Sequence, residues 1–136
     1  MNERSSRSHT ILVLEFFQKN QDGSTKSAKL NLVDLAGSER IGKTGATGKV
    51  LEEAKKINMS LTTLSRVITQ LGKPGSHVPF RDSKLTRLLS ESLGGNSKTT
   101  LLCTASRDPI HLEETIQSLK FAQRTKMIKN KAVSNV

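Results

Sequence analysis

The chain has 136 residues, 34% of them hydrophobic and 3% aromatic, with neither Trp nor Tyr. No run approaches the roughly 18 consecutive apolar residues of a membrane-spanning helix, and a single cysteine, Cys103, excludes a disulfide-stapled scaffold and fits a reducing compartment. Lys and Arg number 22 against 12 Asp and Glu, for a net charge of +10, a field that favours an acidic partner such as nucleic acid, an anionic membrane or an acidic protein. That charge is uneven: residues 1–48 carry +2 and residues 49–136 carry +8. The length suits one domain, and Arg4, Arg7 and a run of serines stand where a secretory signal would need an apolar core.

Taken in chain order, Thr10 to Phe17 (TILVLEFF) is β-branched and aromatic and predicts a strand. Lys29 to Leu35 (KLNLVDL) predicts a second, and the polar run Gln18 to Ser27, holding Asp22-Gly23, predicts a hairpin between them. Gly37 to Gly48 (GSERIGKTGATG) is a glycine-punctuated loop. Val50, Ala54, Ile57, Leu61, Leu64, Ile68 and Leu71 then alternate spacings of four and three, one apolar stripe of a helix bounded by Gly48 and Gly72. That helix is about 35 Å long at 1.5 Å per residue. Its stripe also matches a coiled-coil seam, but Lys55-Lys56 and Met59 spoil the flanking charge pairs.

Pro74 and Pro79 place Lys73 to Asp82 in a loop. Ser83 is a good N-cap for a short helix burying Leu85, Leu88, Leu89 and Leu93, stopped by Gly94-Gly95. Thr99 to Ala105 (TTLLCTA) predicts a third strand, with Cys103 in the core. A last helix is expected from Leu112 to Lys129, with Glu113 and Glu114 in its first turn and Lys126 and Lys129 in its last, both complementing the helix dipole. Strand, strand, helix, helix, strand, helix is an α/β order.

Gly37 to Thr44 (GSERIGKT) satisfies the phosphate-loop pattern G-x-x-x-x-G-K-[ST]. A true phosphate loop needs a helix to start at its Lys-Thr, so that free N–H groups face the phosphates. Here Gly45 and Gly48 follow, and the stripe begins only at Val50, so the match is read as coincidental. A small NTPase built on it would require a helix near Lys43. Nucleic-acid binding is the other rival for so basic a chain, but Phe16, Phe17, Phe80 and Phe121 are the only rings for stacking and no RNA- or DNA-binding signature is present.

Two other stretches are more specific. Asn2 to His9 reads NERSSRSH and Asp34 to Glu39 reads DLAGSE, followed by EAKKINMSL (Glu53 to Leu61), VPFRDSKLTRLL (Val78 to Leu89), SLGGNSKT (Ser92 to Thr99) and FAQRTKMIKN (Phe121 to Asn130). In this order they resemble the kinesin motor domain over nearly the whole chain. The resemblance implies the distal portion of an α/β, P-loop NTPase-like motor, without the N-terminal strands and the phosphate loop. It would comprise a partial motor domain at 1–130, with switch I at 2–9, switch II at 34–39, microtubule-facing segments at 40–93 and the last strand and helix at 99–129. A neck linker would begin at 131–136.

The resemblance further implies a microtubule-stimulated ATPase motor of the cytoplasmic microtubule cytoskeleton, with ATP and Mg²⁺ bound in the complete motor. Carried over position by position, Asn2, Ser5, Ser6, Asp34 and Gly37 form the nucleotide-contacting set. Ser6 and, through water, Asp34 serve Mg²⁺, and the Gly37 N–H reaches the γ-phosphate. Ser5, Ser6, Arg7 and Glu39 are the catalytic set, with Arg7 and Glu39 an ion pair joining the switches. His9 is read as a structural hydrogen-bonding residue. Arg40, Lys43, Lys55, His77, Arg81 and Lys84 form the tubulin-facing set; neither nucleic acid nor membrane insertion is expected. Because the matched region begins at switch I, the 136 residues alone are expected neither to bind ATP tightly nor to hydrolyse it. The alternative is a non-catalytic, microtubule-binding remnant.

Overall fold

The computed structural model describes residues 8–37 and 48–133, except for the side chains of Lys49 and Val50. They fall into two compact units, one within Met1–Ser38 together with Val133–Val136, the other within Glu39–Ala132.

The first unit is an antiparallel hairpin of β1 (Thr10–Lys19) and β2 (Thr25–Asp34), paired from Thr10 opposite Asp34 to Lys19 opposite Thr25. Both strands outrun their apolar cores, because polar residues sustain a ladder once its register is set. That register puts Glu15 directly opposite Lys29, and the two form an ion pair at 3.3 Å. The turn closes through Asn20 N–H to Ser24 O at 2.9 Å and Gly23 N–H to Asn20 O at 3.1 Å. Gly23 stands at φ +84°, a conformation natural to glycine. The Asp22 carboxylate accepts from the Ser24 hydroxyl at 2.6 Å and the Ser24 N–H at 2.9 Å, which hold its pKa below the usual value. Phe17 is 73% exposed, because a two-stranded ribbon has no second layer of its own to bury both faces.

The second unit is built on α1 (Gly48–Leu71), with α2 (Lys84–Leu88) and α3 (Leu112–Thr125) both packed against it. Its core is Leu64, Val67, Ile68, Leu85, Leu89 and Leu93. Contacts on two sides widen the buried arc of α1 beyond the expected stripe, so Val67 and Thr63 are buried as well. The Thr63 hydroxyl is satisfied by Met59 O at 2.9 Å. Polar ties complete the unit: Arg124 Nη2 donates to Ser65 Oγ at 3.1 Å, joining α3 to α1. The Asn130 amide donates to Ser92 O and Ser97 Oγ, both at 2.9 Å, and so pins the chain after α3 to the loop after α2.

Four expectations are corrected. Thr99–Ala105 forms no strand: a ladder needs a neighbour for its N–H and C=O groups, and among the described residues this segment has none. Cys103 is accordingly exposed rather than core, its thiol 3.5 Å from Ser118 O. Leu88 is 69% exposed, because the short helix turns only Leu85 and Leu89, with Leu93 beyond it, toward α1. Helix α3 ends at Thr125, leaving Lys126 as its C-cap and Lys129 outside; turn-type bonds from Met127 N–H to Arg124 O and Ile128 N–H to Thr125 O follow.

Candidate functional site

In the first unit, the hairpin register carries the two ends of a candidate site to one place. Thr10 pairs with Asp34, so the residues before β1 and after β2 leave the same end of the ladder. There the Ala36 N–H donates to His9 Nδ1 at 3.1 Å. Ala36 is 4% exposed, and burial of the imidazole lowers the pKa of His9, since the charged ring loses hydration. With Nδ1 accepting, the neutral ring carries its proton on Nε2. The expected structural role of His9 is thus realised as a clasp between the end of NERSSRSH and the middle of DLAGSE.

Asp34 is the last residue of β2 and is exposed, and Gly37 follows half-buried. An exposed carboxylate is a hard oxygen donor suited to Mg²⁺ through water. No group of three or more His, Cys, Asp and Glu converges as a metal cage among the described residues. Asn2, Ser5, Ser6, Arg7, Glu39, Arg40 and Lys43 lie outside the described residues, as does most of the Gly37–Thr44 match.

In the second unit the candidate contact residues divide. Arg81 lies in a 3-10 turn, Phe80–Asp82, and Lys84 opens α2; both are exposed, as is His77 in the preceding loop. The loop is set by Gly75 at φ +74° and by the Ser76 hydroxyl, which donates to Gln70 O at 2.7 Å and Lys73 O at 2.9 Å. Asp82 pairs with Arg66 of α1 at 3.5 Å, so α1 brings a further cation to this turn. Lys55 is exposed on the same face of α1 as Arg66, but 11 positions earlier, which puts it about 16 Å along the axis. Arg81 and Lys84 therefore form one cluster and Lys55 a second point on the face.

Sequence reasoning missed Arg66, whose partner Asp82 is remote in the chain. It also missed Thr86, fully buried, whose hydroxyl lies 2.8 Å from Phe80 O, 3.1 Å from Ser83 O and 2.9 Å from Ser83 Oγ. Only the Ser83 cap left a signal, and it is present: Ser83 Oγ accepts from Thr86 N–H at 3.1 Å.

One unit is an antiparallel hairpin whose two ends leave the same end of the ladder, and the other is helical with a basic turn, a combination of the α/β class. The chain belongs to the kinesin motor domain family, whose model matches residues 1–128. It is 60% identical to Kinesin-related protein 5 of Dictyostelium discoideum over 99% of this chain and 14% of that relative. It is 59% identical to the Kinesin heavy chain of Botryotinia fuckeliana, over 99% and 16% respectively. The chain thus spans about one-seventh of the length of such relatives. Among solved structures, the KIF14 dimer with AMP-PNP in complex with a microtubule matches at TM-score 0.90 and 38% identity, over 95% of this chain and 38% of that one. A fast kinesin matches at TM-score 0.86 and 58% identity, over 98% and 38%.

Proposed function

We propose that these residues are the switch-bearing and track-facing part of a motor that couples ATP hydrolysis to movement along microtubules. The observation that carries this reading is the hairpin register, which holds the residues at the end of NERSSRSH and the start of DLAGSE at one end of one ladder, clasped by His9 and Ala36. Phosphoryl transfer asks the protein mainly for positioning and charge stabilisation, and two loops issuing together supply both. Ser5 and Ser6 present hydroxyls to the γ-phosphate and the attacking water, Asn2 adds a nucleotide contact, and Gly37 offers its N–H. Arg7 and Glu39 pair to join the loops and orient the water. Ser6 and, through water, Asp34 hold Mg²⁺, which when bound neutralises phosphate charge. Order and release of such loops by a γ-phosphate is a recurrent switching device.

Arg40, Lys43, Lys55, His77, Arg81 and Lys84 face the acidic tubulin surface, which places the protein on the microtubule cytoskeleton. The test uses a complete motor domain carrying this segment. Changing Arg81 and Lys84 together to Glu raises the microtubule KM, most strongly at low salt because the Debye length is about 8–10 Å near physiological ionic strength, while basal ATP turnover persists. An unchanged KM removes the tubulin-facing assignment; microtubule binding without stimulated turnover removes the motor reading.

A further inference from the structure

We propose that Thr86 is the positioning residue of the basic turn, its buried hydroxyl holding Arg81 and Lys84 in one geometry on either side of Ser83. The inference rests on the tubulin-facing reading of those two cations and adds what sets their placement.

Thr86 is fully buried on α2, and its hydroxyl is the centre of a closed set of bonds. Its proton has three acceptors in reach, Phe80 O at 2.8 Å, Ser83 Oγ at 2.9 Å and Ser83 O at 3.1 Å, and the shortest of these distances assigns it to Phe80 O. With that proton so placed, Ser83 Oγ donates to Thr86 Oγ1 at 2.9 Å and accepts from Thr86 N–H at 3.1 Å. Phe80 O belongs to the peptide unit that joins Phe80 to Arg81, so Thr86 fixes the plane from which Arg81 departs. Ser83 Oγ is the N-cap of α2, so the same hydroxyl fixes the first helical residue, Lys84. Without it, the half-buried Phe80 carbonyl and the capping serine each lose a partner, and the turn must move or admit water to satisfy them. Arg66 to Asp82, at 3.5 Å and exposed at both ends, is the one other side-chain tie to this turn among the ion pairs of the described residues. It is of a kind that contributes little.

The arrangement explains an economy in the sequence. Two exposed cations on flexible stems make a defined pattern only if their backbone is rigid, and the hydroxyl is the rigid element. Pro79, N-cap of the 3-10 turn, limits the approach to Arg81 from the other side.

The test is again a complete motor domain carrying this segment, with basal ATP turnover, microtubule KM and stimulated kcat measured across a salt series. Thr86→Val keeps shape and removes the hydroxyl; it is expected to raise the microtubule KM by about 3-fold to 10-fold with basal turnover kept, and Thr86→Ser restores most of the affinity. Ser83→Ala, which removes the cap while leaving the bond to Phe80 O, is expected to raise KM about 3-fold, and it carries the test if Thr86→Val does not fold. The Arg81→Glu, Lys84→Glu double variant is the reference. If it raises KM and neither Thr86→Val nor Ser83→Ala does, the positioning role is overturned and the tubulin-facing reading stands. If the double variant changes nothing, that reading falls and this inference with it. A basal turnover that falls in step with affinity, without rescue by Thr86→Ser, marks a general loss of fold and also overturns the positioning role.

Discussion

Replacing His9 by alanine removes the acceptor for the Ala36 N–H at the end of the hairpin. Ala36 is buried, so water replaces that acceptor poorly, and an unsatisfied buried donor costs about 1–3 kcal/mol. His9 itself is half-buried and its removal opens a path for water, which puts the expected loss near the low end, about 1–2 kcal/mol. His9→Asn offers a carboxamide oxygen close to the position of Nδ1 and is expected to recover most of it. Burial lowers the folded-state pKa of His9 below its ordinary 6.5, so the folded state binds fewer protons than the unfolded chain between the two values. The clasp therefore contributes fully above about pH 6.5 and weakens as pH falls through the folded-state value. Urea unfolding of a complete motor domain carrying this segment, at several pH values between 5 and 8, measures both effects. Amide hydrogen exchange at Ala36 reports the bond directly. Equal stability of wild type and His9→Ala at pH 7.5, with unchanged exchange at Ala36, refutes the reasoning.

Further expectations concern the helical unit and the isolated chain. Ile68→Ala, in the buried arc of α1, should lower unfolding free energy by about 2–5 kcal/mol, and Ile68→Val by about 0.5–1.5 kcal/mol, by denaturant titration. Gly95→Ala should destabilise more than Gly94→Ala in the same titration. A Cβ at Gly95 meets the Glu91 carbonyl oxygen at 2.8 Å, whereas one at Gly94 meets the end of the Leu71 side chain at 2.9 Å, which can turn away. The 136 residues alone should show no microtubule-stimulated phosphate release, since Gly45 and Gly48 follow the Lys-Thr of GSERIGKT and the apolar stripe begins only at Val50, a sequence unlike a phosphate-loop helix start; measurable release contradicts that assignment.

Local chemistry made much of this chain readable in advance. Alternating β-branched residues on either side of Asp22-Gly23 specify a hairpin because the strand period and the turn act within a few residues. The glycine-bounded stripe specifies α1, and Ser83 specifies the start of α2, for the same reason. The motifs that carry the family resemblance are likewise contiguous, so Asp34, Gly37, Arg81 and Lys84 could be named before any coordinates.

What depended on tertiary structure was every feature that needs a distant partner. Thr99–Ala105 has strand composition but forms a ladder only with a neighbour, and among the described residues it has none. Leu88 reads as core and lies in solvent, because a short helix can turn only one side toward α1. The clasp from Ala36 to His9, the pairing of Arg66 with Asp82 and the hold of Asn130 on the loop after α2 join residues far apart in the chain. No period or spacing encodes such pairs. The +10 charge by itself favours any acidic partner, and it is the motifs of the family resemblance that make tubulin the one proposed. Only the fold set Arg81 and Lys84 together around one buried hydroxyl and left Lys55 three turns of helix from Arg66, because packing between elements decides which charges share a surface.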